Sequence, residues 1–187
     1  MRDILTVLFV VISLTGCAEK EYVDTRSAEQ VRFTSLVREW RDTVNNAEKN
    51  KGNRQQLLEK GVRSVKAHIQ DSLQLQFASW EARVLNHAPD PTDPEYTITS
   101  FGMNLEPGEM TEKTRYQSVV FTSRASKSDP VYGNLKTLEV GDFVRISGNF
   151  ATMQKTINMD SYNDLSKSKN VLDNAEFRVE ISSLEKL

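Results

Sequence analysis

The chain has 187 residues, 38% hydrophobic and 27% charged, an ordinary balance for a soluble globular protein. That supply of large apolar residues builds a core without a metal or disulfide staple, and a single cysteine excludes an intramolecular disulfide. A net charge of −2 and a pI near 5.8 exclude a global attraction to polyanions.

Met1-Arg2-Asp3 is a short charged start, followed by the apolar run Ile4 to Ile12. This run is too short to cross a bilayer, which takes about 20 apolar residues. It has the length of a secretory h-region, and small residues follow it. The lone cysteine closes the stretch Leu14-Thr15-Gly16-Cys17.

That stretch resembles a bacterial lipobox, an aliphatic residue and two small ones before a cysteine. The resemblance implies that Leu14, Thr15 and Gly16 are recognised by the signal peptidase and that Cys17 is lipidated. Residues 1–16 are then a signal peptide and 17–26 a lipidated tether. The implied partner is a lipid bilayer, reached through N-terminal acyl chains. Two or more chains hold firmly, at about 0.8 kcal/mol per buried methylene. The implied location is the cell envelope, facing the periplasm or the surface, and the outer membrane in a Gram-negative host.

Beyond the polar tether, Ser27 and Gln30 have capping-box spacing and open a helix. Phe33, Leu36, Val37, Trp40, Val44 and Ala47 form one apolar stripe, with Trp40 its largest member. Gly52 and its polar neighbours end that helix. A second runs from about Arg54 to Leu75, with Leu58, Val62, Val65, Ile69 and Leu73 on one face. Together they predict an antiparallel helical pair over 27–75. Lys49, Lys51, Arg54, Lys60, Arg63 and Lys66, opposed only by Glu48 and Glu59, make the second helix and its approach basic, which reads as a solvated face, with contact to anionic headgroups as the alternative.

From Phe77 the period changes to alternation. Strands are expected over Phe77–Leu85, Tyr96–Leu105 and Arg115–Ser123, then from Gly141-Asp142 through Phe150, and last through "EFRVEISSL". His87 to Tyr96, with three prolines, reads as a loop, and Pro107-Gly108 as a turn. A short helical or irregular turn is expected before Gly141. Thr152 to Asn174 reads as one long loop.

Five strands with an irregular turn between the third and fourth resemble an OB-fold. The carriers are Trp80, Val84, Leu135, Leu138, Gly141, Asp142, Val144, Ile146, Ser147, Gly148, Phe150, Phe177, Val179 and Ile181. They look like the anticodon-binding-like domains of bacterial envelope and phage-associated proteins. The fold class expected is α+β: a helical pair, then a five-stranded OB-like Greek-key barrel over 77–187. A β-sandwich has a comparable strand count.

No nucleophile elbow, phosphate loop or dinucleotide fingerprint occurs. His68 and His87 lack zinc-site spacing, and Asp160 to Asp164 lack the glycine of a calcium loop. The chain therefore reads as non-enzymatic, without cofactor or metal. Its expected role is a binding module for an envelope protein or glycan.

The alternatives are a single-stranded nucleic-acid binder or a phage- or plasmid-borne exclusion or lysis lipoprotein. From Pro89 onward eleven Lys or Arg face fifteen Asp or Glu, which opposes nucleic acid. Arg115, Arg124 and Arg145 are the candidates for a basic patch. Most barrel aromatics, from Tyr96 and Phe101 to Phe143 and Phe177, are expected in the core.

Overall fold

The computed structural model describes residues 25–47, 53–105, 118–153, 156–157, 159–161 and 170–187. Helix α1 spans Ala28–Asn46, and the Ser27 hydroxyl caps it by accepting from the Gln30 amide at 3.1 Å. Its stripe buries Phe33, Val37 and Val44, while Trp40 is only half-buried. Helix α2 spans Arg54–Ala67 and runs into one π-helical turn, His68–Ser72. The pair thus ends short of Leu75. Gln74 and Leu75 both take left-handed backbone, at φ 51° and 63°, and swing the chain into the barrel. Trp40 lies over Gly61 of α2, where an added Cβ would stand 3.1 Å from its ring. The two helices meet there because Gly61 leaves room.

The first strand, β1, covers Gln76–Pro89, and β2 covers Tyr96–Asn104. Strand β3 covers Ser118–Ser126, followed by the single-turn helix α3, Tyr132–Leu135. Then come β4 (Phe143–Phe150), the short strands β5 (Thr152–Met153), β6 (Thr156–Ile157) and β7 (Met159–Ser161), and finally β8 (Ala175–Lys186). The barrel order is β1-β2-β3-β8-β4, returning to β1. Only β3 and β8 are parallel; their neighbours pair antiparallel. This is the expected OB-like Greek-key barrel.

Several boundaries differ from the sequence expectation. His87, Ala88 and Pro89 belong to β1, opposite Thr99, Ile98 and Thr97, so the loop is only 90–95. Strand β3 runs on through Arg124 to Ser126. The expected long loop from Thr152 holds β5 to β7 and a 3₁₀ turn, Val171–Asn174. Pro107-Gly108 lies outside the described residues, as do Arg115 and Tyr116.

Among the described residues three bulges coil the barrel: one between Val84 and Asn86 of β1, and two that meet where Phe77 pairs with Gly148. Of these two, one lies between Phe77 and Trp80 in β1, with Ser79 at φ 55°; the other lies where Ser147 and Gly148 shift register against β8. Gly148 is obligatory, because an added Cβ would overlap the Glu180 carbonyl oxygen.

Helices and barrel share one core. Phe33 of α1 enters an aromatic box, its ring 5.1 Å from Trp80, 5.7 Å from Phe177, 5.9 Å from Phe150 and 6.2 Å from Phe121. Trp80 is 0% exposed. Trp80, rather than Trp40, is therefore the tryptophan at the centre. The helical pair stoppers one barrel end, and α3 follows β3 at the other, burying Leu135.

Candidate binding surfaces of the barrel

Leu14, Thr15, Gly16 and Cys17 lie outside the described residues. The described chain starts at Thr25, whose hydroxyl donates to Glu81 Oε2 at 2.7 Å. Arg26 Nη1 donates to the Asn104 carbonyl at 3.1 Å. Between them the β1–β2 ladder stops at Arg83 and Gly102. The Gln30 side chain takes over, donating to the Glu81 carbonyl at 2.6 Å and accepting from its amide at 2.9 Å. Gln30 thus acts as a substitute strand, not as the returning arm of a capping box. Its spacing of three before Phe33 was the signal that it faces inward.

Of the candidate arginine patch, Arg124 and Arg145 do not come together, and Arg115 lies outside the described residues. Arg124 is on β3 and Arg145 on β4, with β8 between them in the barrel. Arg124 Nε pairs with Asp90 at 2.6 Å, its Nη2 lies 3.7 Å from Asp93, and its guanidinium covers the Tyr96 ring at 3.5 Å. Arg145 pairs with Glu81 at 3.0 Å and Glu185 at 3.6 Å. The hydroxyl of Thr92, the Arg124 guanidinium and the Thr92 amide hold the Asp90 carboxyl far below its usual range. Asp142 is lowered by Lys186, 2.7 Å away, and by the Glu139 amide.

Phe101, Phe121, Phe150 and Phe177 are in the core as expected. Tyr96 is only half-buried, and Phe143 is 51% exposed with the Arg83 guanidinium 5.6 Å over its ring. His68 stacks on Phe33 at 6.4 Å, and burial lowers its pKa below the ordinary 6.5. Glu29 opposes and Arg32 reinforces that shift. His87 is also lowered by burial, and its Nδ1 lies 2.9 Å from the Thr99 hydroxyl. Among the described residues no cluster of three or more His, Cys, Asp or Glu side chains is placed to hold a metal ion.

Two surface concavities lie among the described residues. Parallel pairing of β3 with β8 covers only Val120–Ser123 against Glu176–Val179. Beyond it the strands part and leave a groove of about 500 Å³, lined by Arg124, Asp129, Val131, Glu180, Ile181 and Ser182 among others. This seam is at the α3 end of the barrel. A second cleft, also about 500 Å³, lies over the two meeting bulges, beside Gln76, Ser147 and Asn149. No family model, curated protein or solved structure matches this chain. The surfaces speak for themselves.

The seam groove combines an apolar floor, Val131 and Ile181, with polar walls from Asp129, Glu180 and Ser182. Such a mixture fixes an extended ligand by shape and a few hydrogen bonds. Strand periodicity did not reveal it. The groove arises beyond the pairing of Ser123 with Val179, 56 residues apart, where the two strands diverge, which no local pattern encodes.

Proposed function

We propose that the protein is a lipid-anchored envelope protein whose OB-like body is a non-catalytic binding module for a protein or glycan. The open seam between β3 and β8 carries the binding reading, since it is a walled groove at the barrel end away from Thr25. The Leu14-Thr15-Gly16-Cys17 stretch behind its apolar run supports the anchor. Eight Cα steps separate Cys17 from Thr25. At full extension they reach about 28 Å. That leash keeps the helical end, where Thr25 emerges, within reach of the bilayer.

Two measurements test this reading. A fatty-acid analogue fed to cells should label the wild type and not Cys17→Ser; equal labelling of both ends the anchor. A photocrosslinking residue at Pro130, which lines the seam groove alone, should give a discrete adduct in intact cells, whereas one at Gln70 on the helical end should not. Adducts of equal yield from both positions, or none from Pro130, would overturn the seam as the binding surface.

The nucleic-acid alternative needs cations able to neutralise phosphates. Arg124, Lys127, Arg145 and Lys186 already face carboxylates. A dissociation constant below about 1 μM for single-stranded DNA or RNA at about 0.15 M salt would reverse this preference.

A further inference from the structure

Charge is distributed unevenly over the described body. On the barrel Arg124, Lys127, Arg145 and Lys186 each sit 2.6–3.3 Å from a carboxylate. On α2 the arrangement is different. Gly61, Val65 and, beyond the helix, Ile69 mark its buried side. Lys60, Arg63 and Lys66 occupy the opposite side at steps of three, and Lys60 and Arg63 are exposed. No ion pair engages these three among the described residues. Their helix carries one acid, Glu59, which accepts from Gln55 at 3.2 Å, and the π-helical turn beyond it carries Asp71.

Two aromatic contacts fix this face relative to the tether. Lys60 Nζ stands 5.8 Å from the half-buried Trp40 ring, and His68 stacks on Phe33 in the first half of α1. The C-terminal part of α2 therefore runs beside the turns of α1 from which Thr25 and Arg26 emerge. Exposed Arg32 lies near His68 on the same side, as does the Glu29 carboxylate.

We infer that the outer face of α2, through Lys60, Arg63 and Lys66 with Arg32 beside them, docks on the anionic headgroups of the bilayer. The assignment rests on the anchored reading for its occupant, since a leash of about 28 Å keeps this face within reach of a lipid surface. Phosphate-bearing headgroups complement an unneutralised row of cations, and the half-buried Trp40 suits a headgroup layer. Docking fixes the orientation of the body, and the seam groove then points away from the membrane.

Each Lys or Arg near an anionic surface is worth about fivefold in partition, so three are worth on the order of a hundredfold. The test uses a chain from Ala18, which keeps every described residue and the whole shared core but no acyl chain. It is sedimented with phosphatidylcholine vesicles, either pure or containing about one-third phosphatidylglycerol, at about 0.05 M and 0.5 M salt. Binding to the anionic vesicles at low salt, loss at high salt and none to pure phosphatidylcholine are expected.

Lys60→Gln with Arg63→Gln and Lys66→Gln should weaken that binding by at least about tenfold while leaving thermal unfolding unchanged. Lys127→Gln with Lys136→Gln and Arg178→Gln, which removes equal charge from the barrel, should leave it unaltered. Equal losses in the two triple variants, or no binding of the wild type to anionic vesicles, would overturn the docking face. Because no lipid is attached, that outcome is separate from fatty-acid labelling at Cys17, and the anchor stands or falls by itself.

Discussion

A buried amide carries the joint between α1 and the barrel. Gln30 is 0% exposed and satisfies both backbone groups of Glu81 where β2 has already left β1. Gln30→Leu keeps the volume but leaves the partly buried N–H and C=O of Glu81 unpaired, at about 1–2 kcal/mol each. A loss of about 2–4 kcal/mol in denaturant unfolding is expected, and a loss below about 0.5 kcal/mol would show that water replaces the amide. His68 makes a second prediction. Its folded pKa is below 6.5 through burial against Phe33, so the unfolded chain binds the proton more readily. Stability is therefore undiminished above about pH 6.5 and falls as the pH drops from there towards the lowered folded value. His68→Gln should flatten part of that slope in urea titrations across pH 5–7, with the share of His87 remaining. An unchanged slope would mean that the imidazole is solvated.

At the scale of elements, loop 90–95 is short and carries Pro91 and Pro94, yet its order depends on side chains. Asp90 accepts from the Thr92 amide at 2.8 Å and hydroxyl at 2.7 Å, and binds Arg124 across from β3. Asp90→Asn removes the charge that holds Arg124 and part of the acceptor capacity. Amide exchange at Tyr96 and Thr97 should accelerate in this variant while that of Phe121 stays slow; uniform protection throughout would show the clamp to be idle. The linked carboxylate contributes its stability above about pH 3.8 and loses it as the pH falls through the lowered value.

Legibility in the sequence follows from the same local detail. Val144, Ile146, Gly148 and Phe150 alternate cleanly and were readable as β4. The start of β1 was not, because the bulge between Phe77 and Trp80 consumes residues without advancing the pairing and breaks the period of two. Pro89 looked like loop because proline deprives a strand of a donor, but as the last residue of β1 it opposes Thr97 and needs none. Strands of two or three residues, such as β5 to β7, are too short to display any period. The arginine pairs depended on which strands become neighbours, and closure of β8 between β3 and β4 decided that.

At the scale of the whole molecule, the aromatic box takes its rings from both the helical pair and the barrel. Phe33 brings α1 against Trp80, Phe121, Phe150 and Phe177. Phe33→Ala should cost about 3–5 kcal/mol, the range for a fully buried phenylalanine. Trp40→Ala, at a half-buried seam over Gly61, should cost less than that. The reverse order in denaturant unfolding would show that the helix pair is held by its own interface and not by the barrel. A chain cut to residues 76–187 leaves the box open at one end and should lose the sharp near-ultraviolet signal of Trp80, whereas retention of that signal would show the barrel to be self-sufficient.

The position of β8 also governs when this structure can form. Its pairing with β3, β4 and β7 joins segments that a ribosome delivers at very different times, and without it β3 and β4 are left as bare edges. Synthesis runs from the amino end, so local helices form early, but the barrel has no closed state until β8 has followed the other strands. Folding late is built into the order in which these strands are written along the chain.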